Sequence, residues 1–189
     1  MVIGVLALQG AFREHVDMLK KLDIQVKEIR NKDDIQGIKG LIIPGGESTA
    51  IGKLLKDFDM ANTLKEMIGE GLPVFGTCAG MIILAKKLVN DDKVHLGIMD
   101  IEVKRNAYGR QLGSFKCLEK FEGIEENVEM VFIRAPYIER VGENVEVLAR
   151  VGDDIVAARE GNLLAISFHP ELTNDLKIHK YFCEMCKKY

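Results

Sequence analysis

No apolar run in these 189 residues approaches the length of a bilayer-spanning helix, so the sequence reads as that of a soluble protein. Cysteine is scarce. The four, at 78, 117, 183 and 186, are too few and too unevenly placed for a disulfide framework, which points to reduced thiols in a cytoplasm. An excess of one charge is missing too: the formal net charge is −3, and basic residues fall in scattered pairs such as Lys20-Lys21, Lys86-Lys87 and Lys187-Lys188. Without a basic stripe, neither nucleic acid nor an anionic membrane is an expected partner. Repeats, low-complexity tracts and linkers are absent, so residues 1–189 read as one domain, long enough to bury a full core. The apolar opening, residues 1–8, lacks a basic leader and a small-residue cleavage site, and reads as a first strand.

The first half of the chain alternates strand and helix signals. Phe12, Val16 and Leu19 recur at helical spacing between charged residues, residues 25–30 form a second strand, and Gly40-Leu41-Ile42-Ile43 a buried third. A helical pattern resumes at Ser48, and Leu72-Pro73-Val74-Phe75 is a short buried strand. From about residue 98 to 166 the pattern changes to short alternating runs, before a last buried strand at residues 163–168 and a closing helix at 174–188. The expected fold is α/β: a doubly wound, mostly parallel sheet with helices on both faces and a mixed or antiparallel extension.

Gly76-Thr77-Cys78-Ala79-Gly80 joins the fourth strand to the apolar helix that begins near Met81. Its G-x-C-x-G spacing has the logic of a nucleophile elbow: a reactive residue on a strained turn, with small neighbours. The start of a helix favours a thiolate, the attacking form. A buried structural cysteine on a tight turn is the alternative, so the motif needs a base. His169 stands just beyond the last buried strand, at the sheet edge where open α/β folds bind ligands, and Pro170 stiffens its turn with Glu171. Cys78, His169 and Glu171 can thus serve as nucleophile, acid–base and orienter. His15 borders the apolar face of the first helix and His95 lies in a polar connection; both read as structural. His179, Cys183 and Cys186 share one helical face that can in principle hold a metal, but no fourth ligand is evident, and packing is preferred.

Pro44-Gly45-Gly46-Glu47-Ser48-Thr49 follows the third strand. The Gly46 amide, paired with that of Ala79, can form an oxyanion hole; alternatively the glycines only make a strand-to-helix turn with Ser48 as N-cap. Arg105 and Arg134 are suited to gripping a carboxylate, or are solvated surface charges.

Together, residues 8–10, 44–49, 76–81, 105–111, 133–136 and 167–173 resemble the class I (triad) glutamine amidotransferases of flavodoxin-like fold. Within them the chain is similar to the glutaminase subunits of pyridoxal 5′-phosphate synthases, through Gly-Gly-Glu-Ser-Thr and Arg-Asn-Ala-Tyr-Gly-Arg-Gln. The resemblance implies attack of Cys78 on the L-glutamine amide and a glutamyl thioester that water hydrolyses. It also implies glutamine binding by Gly46, Glu47, Ser48, Arg105, Ile133 and Arg134. Ammonia would pass to a (β/α)₈-barrel synthase subunit in a hetero-oligomer, with no metal or cofactor in this chain. Tyr108 and Leu112-Gly113 depart slightly from the expected pattern. Two rival readings remain: a glutaminase of histidine or purine synthesis, and a non-catalytic docking module of the same fold.

Overall fold

The computed structural model describes residues 1–106 and 113–188. In chain order the elements are β1 (Val2–Leu6), α1 (Phe12–Lys20), β2 (Gln25–Ile29), β3 (Leu41–Ile43), α2 (Ser48–Asp57), α3 (Ala61–Gly69), β4 (Val74–Thr77), α4 (Ala79–Leu84) and β5 (Ala85–Leu88). There follow β6 (Met99–Lys104), β7 (Ser114–Phe121), β8 (Ile124–Ile133), β9 (Tyr137–Val141), β10 (Glu146–Val151), β11 (Asp154–Glu160), β12 (Leu163–Ile166) and α5 (Lys177–Cys186). Short 3₁₀ turns occupy Lys32–Ile35 and Pro170–Leu172.

Strands β2-β1-β3-β4-β12 run parallel, and the sheet continues through β11, β9 and β6 in antiparallel pairings. β5 joins β6 in parallel, β10 lies along β11, and β7 with β8 forms a separate hairpin. β1, β3, β4 and β12 are largely apolar runs because both their faces are covered, whereas the edge strand β2 keeps Gln25, Lys27 and Glu28. On one face α1 and α5 bring Val16, Leu19, Ile178 and Phe182 against Ile3, Val5 and Phe75. On the other, α2, α3 and α4 set Ile51, Leu55, Leu64 and Ile83 against Leu6, Ile43 and Val74. The strand order reverses between β1 and β3, so the carboxyl ends there flank the crevice of a doubly wound sheet.

Several boundaries differ from those expected. β4 starts after Pro73, which has no N–H for the ladder, and runs up to Thr77, directly beneath Cys78. α4 stops at Leu84: all six of its residues are buried, so its sequence has no polar face from which to read a length. α5 starts at Lys177 rather than 174, because Thr173 and Asp175 close a local turn. There Asp175 N–H donates to Thr173 Oγ1 (3.0 Å) and Lys177 N–H to Asp175 Oδ1 (2.9 Å).

Candidate active site

Cys78 leaves β4 and enters α4 with φ 50° and ψ −101°, a backbone conformation that costs a non-glycine residue about 1–3 kcal/mol. Its surroundings enforce it. The Cys78 N–H donates to Ile166 O (2.8 Å), tying the elbow to the end of β12. A Cβ on Gly76 would lie 2.6 Å from the Gly80 carbonyl, and one on Gly80 would collide with the Ile43 carbonyl. Both flanking glycines are therefore demanded by close backbone approach.

The chain leaving β12 carries the base. His169 N–H donates to Val131 O (2.8 Å), anchoring the turn to β8, and Pro170 opens the 3₁₀ turn that swings Glu171 back. Glu171 Oε1 lies 2.7 Å from His169 Nδ1, and Cys78 adjoins the same ring. Burial opposes a charged ring, but the neighbouring Cys78 and the Glu171 carboxylate outweigh it and push the His169 pKa up to about 10. Burial likewise opposes an ionised Glu171, yet the His15 and His169 rings beside it hold its pKa below the usual carboxylate value. At neutral pH this arrangement carries an imidazolium next to the thiol. It can deliver a thiolate to an electrophile and a proton to the group that leaves.

A cavity of about 580 Å³ opens onto Cys78 and His169. Gly46, Glu47, Ser48, Ala79, Arg105, Ile133 and Arg134 all line it, as does Asn106, whereas Glu171 stands behind His169. Of the Arg105-to-Gln111 motif, Ala107, Tyr108, Gly109, Arg110 and Gln111 lie outside the described residues, as does Leu112. Glu47, rather than Ser48, is the N-cap of α2: its carboxylate accepts from Thr49 N–H (2.9 Å) and Ala50 N–H (2.6 Å), chiefly the former lowering its pKa. Arg105 reaches Asp91 (3.4 Å) and Glu47 (3.6 Å), placing a guanidinium at the cavity wall. Arg134 has φ 43° and donates its N–H to Gly113 O.

Residues 5–188 match the SNO glutamine amidotransferase family. The chain belongs to that family. It is 55% identical over its whole length to the pyridoxal 5′-phosphate synthase subunit PdxT of Streptococcus pneumoniae (strain CGSP14), covering 98% of that protein. It is 54% identical to the subunit of the same name from strain ATCC 700669, covering 99% of it. A solved glutamine amidotransferase superposes with a TM-score of 0.95 at 50% identity, over 99% of this chain and 100% of that one. A structure of PurLQS from Thermotoga maritima, at 14% identity, shares the fold with a TM-score of 0.73 over 97% of each chain.

Sequence reasoning gave Gln9 no role beyond its place in the family motif. Its side-chain oxygen accepts from Glu47 N–H (2.8 Å), and Ala11 N–H donates to Gly45 O (2.9 Å), so the ends of β1 and β3 are laced together at the strand-order reversal. That position follows β1, and the switch-point rule alone singles it out. His15 is no border residue: it is fully buried, with Nε2 3.5 Å from Glu171 Oε2. His179 Nε2 lies 2.9 Å from His15 Nδ1, a partner that the helical spacing with Cys183 and Cys186 does not reveal.

Proposed function

We propose that this chain, acting as one domain over residues 1–189, hydrolyses L-glutamine to L-glutamate and ammonia and supplies the ammonia to pyridoxal 5′-phosphate synthesis. The observation that carries this reading is the line Cys78, His169, Glu171, held at the edge of the parallel sheet in a chain 55% identical end to end to a pyridoxal 5′-phosphate synthase subunit. Cys78 Sγ adds to the side-chain amide carbon. The oxygen that gains charge sits between the Gly46 and Ala79 N–H groups, each such donor being worth about 3–4 kcal/mol. Protonated His169 then gives its proton to the departing nitrogen, and ammonia leaves a glutamyl thioester. Water attacks next, with neutral His169 taking its proton; the thiolate is expelled and glutamate is released. Glu171 keeps the ring in register throughout. Glu47, Ser48, Arg105, Ile133 and Arg134 hold the amino-acid end of glutamine.

The partner is a (β/α)₈-barrel synthase subunit in a hetero-oligomer in the cytoplasm, which the PdxT likeness supports. The test supplies amide-¹⁵N glutamine to the chain with that subunit. The label is expected in the pyridine ring of the product; label confined to free ammonium would refute delivery, and recovery of a histidine- or purine-pathway enzyme on co-purification would refute the partner.

A further inference from the structure

Behind the Cys78 line lies a second polar group that the proposed chemistry leaves unused. Glu171 spends Oε1 on His169, while its Oε2 is buried and makes no hydrogen bond among the described residues. His15 Nε2 faces it at 3.5 Å and also lies 3.2 Å from the hydroxyl of Thr77, the residue before the elbow cysteine. His15 Nδ1 in turn lies 2.9 Å from His179 Nε2. His15, Thr77 and His179 are all fully buried, and Phe75 stands edge-on to both rings.

One assignment of protons satisfies most of these contacts. With hydrogen on Nε2 of both rings, His179 donates to His15 Nδ1, and His15 presents its N–H to Thr77 Oγ1 and Glu171 Oε2. Burial depresses the pKa of His15, against the pull of Glu171, and burial with the neighbouring His15 depresses that of His179 further. Both rings are therefore neutral at pH 7. What His15 offers Glu171 is an oriented N–H, and the balancing charge is on His169.

We propose that His15 is a positioning residue of this centre: its Nε2–H holds the second oxygen of Glu171, and through that carboxylate the His169 ring, while His179 fixes the His15 ring from behind. The arrangement crosses three elements, since His15 is on α1, Thr77 ends β4 and His179 is on α5. Other charges face Glu171 across an adjoining cavity: Glu14 and Asp17 from α1, Lys21 just past its end, and Lys116 and Glu129 from the hairpin. Lys116 is paired with Glu129 (3.8 Å), and among the described residues the ion pairs recorded at the Glu171 carboxylate are those with His15 and His169.

The proposal rests on the glutaminase reading for its activity arm alone. On the full chain, the rate of Cys78 alkylation by iodoacetamide is followed against pH, with Cys78→Ala as the blank. With the synthase subunit present, kcat and KM for glutamine are measured separately. His15→Leu is expected to raise the acid limb of alkylation by about one pH unit, because the Nε2–H 3.5 Å from the buried carboxylate oxygen is lost. In the complex kcat should fall about 10-fold with KM within about twofold. His15→Gln, whose amide nitrogen reaches the Nε2 position, is expected to restore both; His15→Asn, which stops short, to restore neither. Equal behaviour of the Gln and Asn variants, or an unmoved acid limb in a folded His15→Leu, would overturn the proposal. If the leucine variant does not fold, the Gln and Asn pair decides. Absence of glutamate release by the wild-type complex would refute the glutaminase reading, while the alkylation limb still decides the role of His15.

Discussion

Phe75 in β4 is fully buried, while Leu118 in β7, also a large apolar side chain, is 64% exposed. β4 lies between β3 and β12 with helices on both faces; β7 pairs with β8 alone and alternates exposed with half-buried positions. Cys78 and His169 hang from the carboxyl ends of β4 and β12, whose pairing brings Thr77 opposite Ile166. Arg105, Ile133 and Arg134 follow or end strands of the antiparallel part. Groups whose geometry decides a bond-making step stand where packing fixes them from two sides. Arg105, Ile133 and Arg134, proposed to hold the substrate, stand where one face is free to adjust.

The sharpest break in this comparison comes at the elbow. Cys78→Ala is expected to lower glutaminase kcat by at least about 10⁴-fold in the assembled complex, as removal of a nucleophile does when no other group can form the covalent intermediate. Steady-state glutamate release measures it, and activity within 10²-fold of wild type would remove Cys78 from the mechanism. Phe75→Ala, two residues into the same strand, tests the packing behind the elbow. It is expected to cost about 3–5 kcal/mol in urea unfolding, because the ring packs against Phe182 and both buried histidines.

The parallel part was legible in the sequence because its signals are redundant. Leu41-Ile42-Ile43 and Leu163-Leu164-Ala165-Ile166 are apolar runs ended by turn residues, and the elbow glycines mark a backbone approach that only glycine permits. Cys78, His169 and Glu171 follow from that frame. The hairpin of β7 and β8 was not separated from the other short alternating runs, since period-two patterning gives a strand's faces but not its partner. Buried polar contacts were the least legible. His15 sits among Arg13, Glu14 and Asp17 in a helix with an ordinary charged face, and nothing local says that its ring meets α5 and Glu171.

Those buried histidines separate the two parts in their response to acid. His15 and His179 have pKa values lowered by burial, so the unfolded chain binds protons that the folded chain does not. Their stabilising contribution is complete above the unfolded value near 6.5 and is lost as pH falls below it, at about 1.4 kcal/mol per pH unit for each ring. Glu171, also lowered, adds to the same loss as pH falls below about 4.5. Urea midpoints measured from pH 7 to pH 5 should therefore fall steeply, and His179→Leu should flatten that slope by about half; an unchanged slope would place the titration elsewhere. A smaller effect is expected at Arg105, whose guanidinium is shared between Glu47 and Asp91 and is one third exposed. Arg105→Gln should raise KM for glutamine about 10-fold with kcat within about twofold, the signature of binding equal in ground and transition states. A fall in kcat instead would move this arginine from holding the substrate to the chemistry.

The least effect belongs to the hairpin's open side. Leu118 stands opposite Glu129 in the β7–β8 register, on the face of the hairpin turned away from the packed Phe121, Val128 and Met130. Exchanging Leu118 for serine removes apolar surface that water already largely reaches, so little burial is lost and the expected change in unfolding free energy is within about 0.5 kcal/mol. Phe75 and Leu118 differ in neighbours rather than in hydrophobicity, and the ratio of their two costs measures that difference directly. Should Leu118→Ser cost as much as about 2 kcal/mol, its side chain would have to be covered in solution, and the hairpin would have to count as interior like β4.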